Sequence, residues 1–119
     1  MTLIYKISPR GPWAEAQAKG VFEGAPIDLA DGYIHFSAAH QVRETATKYF
    51  KDIPDLVLAA IDTTALGSAL KWEASRGGDL FPHLYGTLQM TAVRALYDMP
   101  LDTDGKPMLP AVLLPALLP

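Results

Sequence analysis

The fold is decided by an uninterrupted apolar run in the middle of the chain, Leu56-Val57-Leu58-Ala59-Ala60-Ile61. A strand with one solvated face alternates between apolar and polar residues, whereas a strand covered on both faces is apolar throughout. Pro54 closes the connection that leads into the run. We therefore predict a central strand that is covered on both of its faces.

The segment before this run predicts a short strand followed by a helix. Residues 33–36 read Tyr-Ile-His-Phe, and Ser37 after them is a typical N-cap for a helix over residues 38–50. Apolar residues at helical spacing predict one buried stripe on that helix. The members of the stripe are Ala39, Val42, Ala46, Tyr49 and Phe50. Arg43 falls off the stripe and is predicted to face solvent or a cleft.

A β-hairpin is predicted after the apolar run. Residues 70–75 alternate, which places Trp72 inward and Glu73 on the opposite face. The two glycines that follow suit a hairpin tip. Residues 81–86 return from the tip, and Pro82 predicts an edge strand because proline cannot donate to a ladder hydrogen bond.

The two ends of the chain add two strands and a helix. Residues 3–7 alternate and predict a half-buried strand, with Lys6 and Tyr5 on opposite faces. A helix is predicted over residues 13–19, with a proline in its first turn and a glycine at its end. Residues 24–32 carry glycines and a proline and predict an irregular connection, and residues 93–99 predict the last strand.

Together these elements predict one α+β domain. The helices cluster early and the strands late, which favours a curved, mixed or antiparallel split sheet with two main helices over a doubly wound fold. A chain of 119 residues has room for one domain, with residues 1–99 as core and 100–119 as a proline-rich tail. The tail is apolar from residue 108, so it is expected to cover its own sheet or to form a homo-oligomer.

Composition excludes several classes of function. The chain has no cysteine, which excludes disulfides, thiol catalysis and thiolate metal sites. Its net charge is -3 and it shows no basic patch, so duplex nucleic acid is not an expected partner. The sequence carries no signal-peptide pattern and no apolar stretch near the ~20 residues that span a bilayer. We expect a cytoplasmic protein without a membrane segment.

Three residues are the candidates for chemistry: His35, Glu73 and His83. Carboxylates are depleted in strands, and the hairpin brings Glu73 nearly opposite Pro82 and therefore close to His83. A carboxylate beside a histidine can share a proton or orient a sugar hydroxyl. His35 lies where a strand opens into a helix, and alternation places Tyr85 on the same face as His83.

Each candidate also has an ordinary structural interpretation. His35 could be a histidine at the edge of the core that bonds to backbone, and Glu73 could be a surface carboxylate paired with Lys71 or Arg76. His83 could be a residue of an edge strand. No histidine or aspartate spacing matches a zinc or calcium site, so no metal site is expected.

Three motifs, in this order, resemble the family called domain of unknown function 952 (DUF952). They are Asp31-Gly32-Tyr33-Ile34-His35-Phe36-Ser37, Lys71-Trp72-Glu73 and Phe81-Pro82-His83-Leu84-Tyr85-Gly86. The resemblance covers nearly the whole chain and implies a small bacterial protein. That family is similar to the ADP-ribosyltransferase fold, including the RNA 2′-phosphotransferases. The resemblance therefore implies a split, curved sheet with a cleft sized for a nicotinamide dinucleotide.

The resemblance also implies roles for individual residues. His35 would occupy the place of the nicotinamide-stacking tyrosine of the poly-ADP-ribose enzymes, and Glu73 or His83 would polarise the ribose. Lys6 or Arg43 would supply a cation for the diphosphate. No glutamate follows Glu73, so the late-strand catalytic acid of that superfamily is missing unless Glu73 replaces it.

Two functions follow as expectations. The first is a transferase that uses NAD or a related nucleotide, with His35, Glu73 and His83 as its catalytic residues. Its ligand-binding residues would be Lys6, Ser37, Arg43, Trp72 and Tyr85. The alternative is a non-catalytic module that keeps the cleft for a small, nucleotide-like ligand or for an interaction.

Overall fold

The predicted central strand lies in the middle of a three-stranded antiparallel sheet. The computed structural model describes residues 2–113 apart from the side chain of Arg76. In this sheet β4 (Leu56–Asp62) pairs on one side with β1 (Leu3–Pro9) and on the other with β8 (Val93–Met99). Every residue of β4 is buried. The prediction of a strand covered on both faces is confirmed.

Two smaller antiparallel sheets complete the α+β domain. One joins β2 (Val21–Phe22) to β7 (Leu88–Gln89). The other has the order β3-β6-β5, in which the strands are β3 (Ile34–His35), β5 (Leu70–Ser75) and β6 (Asp79–Leu84). The bounds predicted for β5 and β8 are confirmed. All strand pairs among the described residues are antiparallel, so the sheets are not mixed.

A backbone bridge joins the first sheet to the third. The Tyr5 N–H donates to the Ser37 carbonyl over 2.8 Å, and the Ser37 N–H donates to the Tyr5 carbonyl over 2.9 Å. The sheet is therefore split, but the strand β1 and the segment after β3 are held together at this point. The bridge brings Lys6 in β1 close to His35 in β3.

Within the described part of the chain, three α-helices pack on these sheets. The structure gives α1 (Arg10–Lys19), α2 (Pro26–Asp31) and α3 (Val42–Tyr49), and a single 3-10 turn precedes α3. The helix α1 ends at Gly20, as predicted, and this glycine has the left-handed conformation that is common at helix C-termini. No helix of residues 2–113 is long and apolar enough to cross a membrane.

The core has two halves, one on each face of β4. Val57, Ala59 and Ile61 pack with Trp13 of α1, whereas Leu56, Leu58 and Ala60 pack against α3. Leu113 of the tail is 3% exposed and joins the second half, and Leu109 packs beside it. The tail therefore covers its own sheet as far as Leu113, as predicted. Residues 114–119, the rest of the predicted apolar tail, lie outside the described residues.

Four predictions about the helices and the first strand were wrong. The strand β1 is buried on both faces, because Lys6 finds a buried carboxylate partner. The helix α1 begins at residue 10 rather than 13. Residues 26–31 form α2 instead of an irregular connection. The helix N-cap is not Ser37, whose backbone pairs with β1 and whose hydroxyl contacts Thr45, 3.0 Å away.

Three predictions about side-chain placement were also wrong. Tyr49 is 56% exposed and leaves the buried stripe, which narrows to Val42 and Ala46 in α3. Trp72 is 44% exposed rather than inward. Pro82 lies in β6, the central strand of its sheet. On the β3 side the Phe36 N–H still donates to the Pro82 carbonyl over 3.0 Å, and β3 ends at His35, so only the return bond from position 82 is missing.

Candidate functional site

Polar and aromatic side chains gather on one face of the β3-β6-β5 sheet. His83 of β6 lies opposite His35 on one side and opposite Lys71 on the other. Opposed residues of antiparallel strands share a face, and residues two positions apart stay on it. We call this surface the polar face. Its members are Tyr33, His35, Lys71, Glu73, His83 and Tyr85.

Glu73 is held through one of its two carboxylate oxygens. The distance from Oε1 to His83 Nδ1 is 2.8 Å, and the Tyr85 hydroxyl donates to the same oxygen over 2.7 Å. Among the described residues, Oε2 has no hydrogen-bond partner, and the side chain is 41% exposed. The predicted proximity of Glu73 to His83 is confirmed, although Glu73 lies directly opposite Phe81 rather than Pro82.

The two donors keep the Glu73 side chain ionised. The hydrogen bond from His83, followed by that from Tyr85, holds the pKa of the Glu73 carboxyl below its usual value. The same bond raises the pKa of the Tyr85 hydroxyl, because the proton is shared with a carboxylate. Glu73 is therefore a fixed negative charge and a hydrogen-bond acceptor rather than a proton donor near neutral pH.

The Tyr33 ring links the aromatic members of the polar face. It stacks on the His83 ring with centroids 4.1 Å apart, and its centroid lies 4.7 Å from that of His35 and 5.2 Å from that of Tyr85. Burial, followed by the charges of Asp31 and Glu73, raises the pKa of the Tyr33 hydroxyl. The His83 side chain is only 4% exposed, so His83 contacts Glu73 from a buried position.

Lys6 and Asp28 form a buried ion pair behind the polar face. Lys6 Nζ lies 2.9 Å from Asp28 Oδ2 and also donates to the His35 carbonyl over 2.9 Å. The side chains are 8% and 1% exposed. Asp28 Oδ2 also accepts the Ala25 N–H over 2.7 Å at the start of α2. The pair therefore joins β1, α2 and β3.

Burial and pairing act in opposite directions on these two groups. Burial lowers the pKa of the Lys6 ammonium despite the attraction of Asp28. Burial alone would raise the pKa of the Asp28 carboxyl, but Lys6 and the hydrogen bonds from His35 and Ala25 hold it below its usual value. The charge of Lys6 is consequently balanced by the Asp28 carboxylate and is not available to a ligand.

His35 is fixed between two carboxylates. Its Nδ1 lies 2.6 Å from Asp28 Oδ1, and its Nε2 lies 2.9 Å from Asp31 Oδ2. Both ring nitrogens are therefore engaged by aspartate side chains, which fixes the orientation of the ring. The side chain is 31% exposed, so His35 contributes a partly exposed ring surface to the polar face.

The structure brings some of the predicted site residues together and separates others. His35, Glu73, His83 and Tyr85 lie together on the polar face. Trp72 lies on the other face of the sheet, because it is opposite Pro82. Ser37 is buried and belongs to the bridge with β1. Arg43 is exposed on α3, and no described contact joins it to the polar face.

The sequence analysis missed four members of this site. Tyr33 could have been found from its position two residues before His35 on a strand, and Lys71 from the same relation to Glu73. Asp31 lies four residues before His35. The Asp28 contact could not be predicted from local pattern, because it joins residues 22 positions apart.

The site is an open surface rather than an enclosed cavity. A cavity of about 150 Å³ lies elsewhere, lined by residues that include Leu66, Leu84, Thr87 and Gln89. Leu84 projects from the opposite side of β6 to His83. No group of residues within 2–113 has the arrangement of a metal site. The polar face is consequently suited to a ligand that lies along it and leaves one side in water.

The family model described as "protein of unknown function (DUF952)" matches residues 7–96. This chain belongs to the DUF952 family. Its structure is similar to the crystal structure of protein CC0527 from Caulobacter crescentus, with a TM-score of 0.91 and 52% sequence identity over 95% of this chain and 99% of that one. No curated protein matches the chain.

The solution NMR structure of CC0527 is also similar to this DUF952 protein. The TM-score is 0.82 and the identity is 54%, over 92% of this chain and 94% of the other. The crystal structure of a double mutant of CC0527 gives a TM-score of 0.91. These likenesses show that the α+β domain described above is shared with a bacterial relative.

Proposed function

We propose that the polar face binds the ribose of a nucleotide-like ligand, with a ribose hydroxyl on the free Oε2 of Glu73. The observation that carries this proposal is the asymmetry of the Glu73 contacts. Both protein donors use Oε1, which orients the carboxylate and leaves its second oxygen available. A carboxylate accepts well from a sugar hydroxyl, since charge-assisted hydrogen bonds are the stronger ones.

The rings beside Glu73 suit the base of such a ligand. Tyr85 is 45% exposed, and its ring lies 5.2 Å from that of Tyr33. A flat heterocycle can lie against exposed tyrosine rings, and aromatic stacking favours it. NAD is the nucleotide to test first, because the resemblance gives His35 the place of the nicotinamide-stacking tyrosine of the poly-ADP-ribose enzymes.

The proposed reaction is transfer of ADP-ribose from NAD. The bond between C1′ of the ribose and the nicotinamide nitrogen breaks, and its electron pair leaves with nicotinamide. A nucleophile such as water or a hydroxyl then bonds to C1′ and gives up a proton to solvent. The intermediate state carries positive charge on the ribose, and the ionised Glu73 carboxylate stabilises that charge. His83 and Tyr85 act on this reaction by positioning Glu73.

A second candidate function is binding without turnover. It is favoured by the arrangement of the cations, because the charge of Lys6 is balanced by Asp28. Among the described side chains, Lys71 is the exposed lysine of the polar face. A diphosphate needs more positive charge than one flexible lysine provides. This candidate predicts saturable binding of ADP-ribose or of NAD and no release of nicotinamide.

One titration separates these functions. Purified protein is titrated with NAD, ADP-ribose and a 2′-phosphorylated oligonucleotide by ligand-observed NMR, and released nicotinamide is measured in the same samples. We expect NAD and ADP-ribose to bind, and Glu73→Gln to lose binding tenfold or more. Glu44→Gln, an exposed glutamate of α3, is the matched control and should bind like the unaltered chain. Absence of binding to all three ligands would overturn the proposal.

The wider setting of this function stays a prediction. We expect the protein to work in the cytoplasm on a small molecule rather than on duplex nucleic acid. Self-association through the apolar tail also stays a prediction, with the limit that Leu109 and Leu113 already pack on their own chain.

A further inference from the structure

The strand β5 is a free edge of the third sheet. It is the last strand in the order β3-β6-β5. At its start the Leu70 N–H donates to the Gly67 carbonyl, and no described backbone hydrogen bond reaches the outer side of residues 71–75. The Trp72 side chain on this strand is 44% exposed and Leu80 beside it is 55% exposed. An unpaired strand with exposed apolar side chains is a template for pairing with another chain.

The hydrogen-bond pattern shows which residues face outward. The Tyr85 N–H donates to the Ala69 carbonyl over 2.9 Å, so this pair is of the hydrogen-bonded kind. Pairs of the two kinds alternate along antiparallel strands. Lys71 and Glu73 therefore direct their backbone groups toward β6. Trp72 and Ala74 direct theirs to the free edge, whereas the Leu70 N–H is already bound to the Gly67 carbonyl.

The sequence of this edge is complementary to itself. When β5 is set antiparallel to a second β5 with Trp72 at the two-fold axis, outward-facing residues meet outward-facing residues. In this register Lys71 lies opposite Glu73 of the second copy, and Glu73 opposite its Lys71. Centring the pair on residue 71 or 73 would instead place like charges opposite each other, which destabilises a pair of strands.

We propose that a second copy of this chain pairs with β5 in this register and forms a symmetric dimer with a continuous six-stranded sheet. The Trp72 side chains of the two copies meet on the face of the sheet opposite the polar face, where they pack against each other and lie beside Leu80. On the polar face, the partner's Lys71 lies beside Glu73 and adds a second exposed lysine to the one that each copy already has. The dimer does not depend on which ligand the polar face binds.

Charge reversal tests this dimer. The oligomeric state is measured by sedimentation velocity over a wide range of concentration for the full chain and for Lys71→Glu and Glu73→Lys. Each variant places like charges opposite each other in its own homodimer, so the dimer Kd should rise about tenfold or more. An equimolar mixture of the two variants should recover dimerisation, because every opposed pair in the heterodimer has opposite charges. Lys48→Glu, on α3, is the control and should leave the Kd unchanged.

A cysteine variant checks the register independently. The chain has no cysteine, so Trp72→Cys can form a disulfide only with its own counterpart. Hydrogen-bonded antiparallel pairs have Cα atoms about 5.5 Å apart, within the range for a disulfide. We expect rapid cross-linking at position 72 and none for Leu96→Cys on β8. A chain that stays monomeric at every concentration, or a dimer insensitive to both charge reversals, would overturn the proposal.

Discussion

The Asp28 carboxylate accepts hydrogen bonds from Lys6, His35 and the Ala25 backbone, and 1% of its side chain is exposed. Each donor comes from a different part of the chain. A buried charge that loses its partner is costly, whereas a surface ion pair contributes little. The stability of the site should therefore depend strongly on Asp28 and weakly on Asp31, although both contact His35.

We expect Asp28→Asn to lower the free energy of unfolding by about 3–5 kcal/mol, because it leaves the Lys6 ammonium buried without a counter-charge. Asp31→Asn, which changes an exposed carboxylate, should cost less than about 1 kcal/mol. Urea denaturation followed by circular dichroism measures both values. Equal losses for the two variants would contradict the role assigned to the buried pair.

Asp28 should also make stability depend on acid pH. Its pKa is lower in the folded chain than in the unfolded one, so its contribution is present above the unfolded pKa, about 3.9, and is lost as the pH falls. The free energy of unfolding should decline more steeply below about pH 4 in the unaltered chain than in Asp28→Asn. Parallel declines in the two proteins would indicate that other carboxyls control acid unfolding.

Tyr85→Phe removes a donor to Glu73 without removing its ring. We expect the pKa of the Glu73 carboxyl to rise toward its ordinary value, because the charged form loses one of its two hydrogen bonds. The measurement is an NMR titration of the side-chain carboxyl carbon. Tyr97→Phe, on β8, is the control, and a Glu73 titration that is the same in all three proteins would exclude the contact with Tyr85.

At the scale of elements, the two sides of β5 should differ in hydrogen exchange. Amides directed toward β6, at positions 71, 73 and 75, are predicted to exchange slowly. Those at 72 and 74 face the free edge and should exchange quickly at low protein concentration. Protection of the second set should grow with concentration as the proposed dimer forms. Fast exchange of the first set would contradict the hairpin register.

The elements that could be predicted from sequence are those whose own residue pattern identifies them. The apolar run in β4 reflects burial that this strand experiences directly. The alternation in β5 predicted the bounds of the strand but not its burial, because Trp72 is exposed. The helix α2 was not predictable in this way, because Ile27 and Leu29 are exposed and give no apolar period. It is held instead by Asp28, whose partner Lys6 is distant in the sequence.

At the scale of the whole molecule, the polar face was predicted only where it depends on local pairing. The hairpin implied the contact between Glu73 and His83, and alternation implied Tyr85. Lys6 was expected to offer its charge to a ligand, but α2 packs near β1 and places the Asp28 carboxylate against the Lys6 ammonium. Long-range packing of this kind leaves no periodic signal in a single sequence.

The most direct test of the site is chemical-shift mapping of ADP-ribose on the isotopically labelled chain. We predict that the perturbed resonances will belong to Tyr33, His35, Glu73 and Tyr85, and that they will saturate together. Shifts that cluster instead around the cavity near Leu66, Thr87 and Gln89, or that never saturate, would contradict the assignment of the polar face as the ligand site.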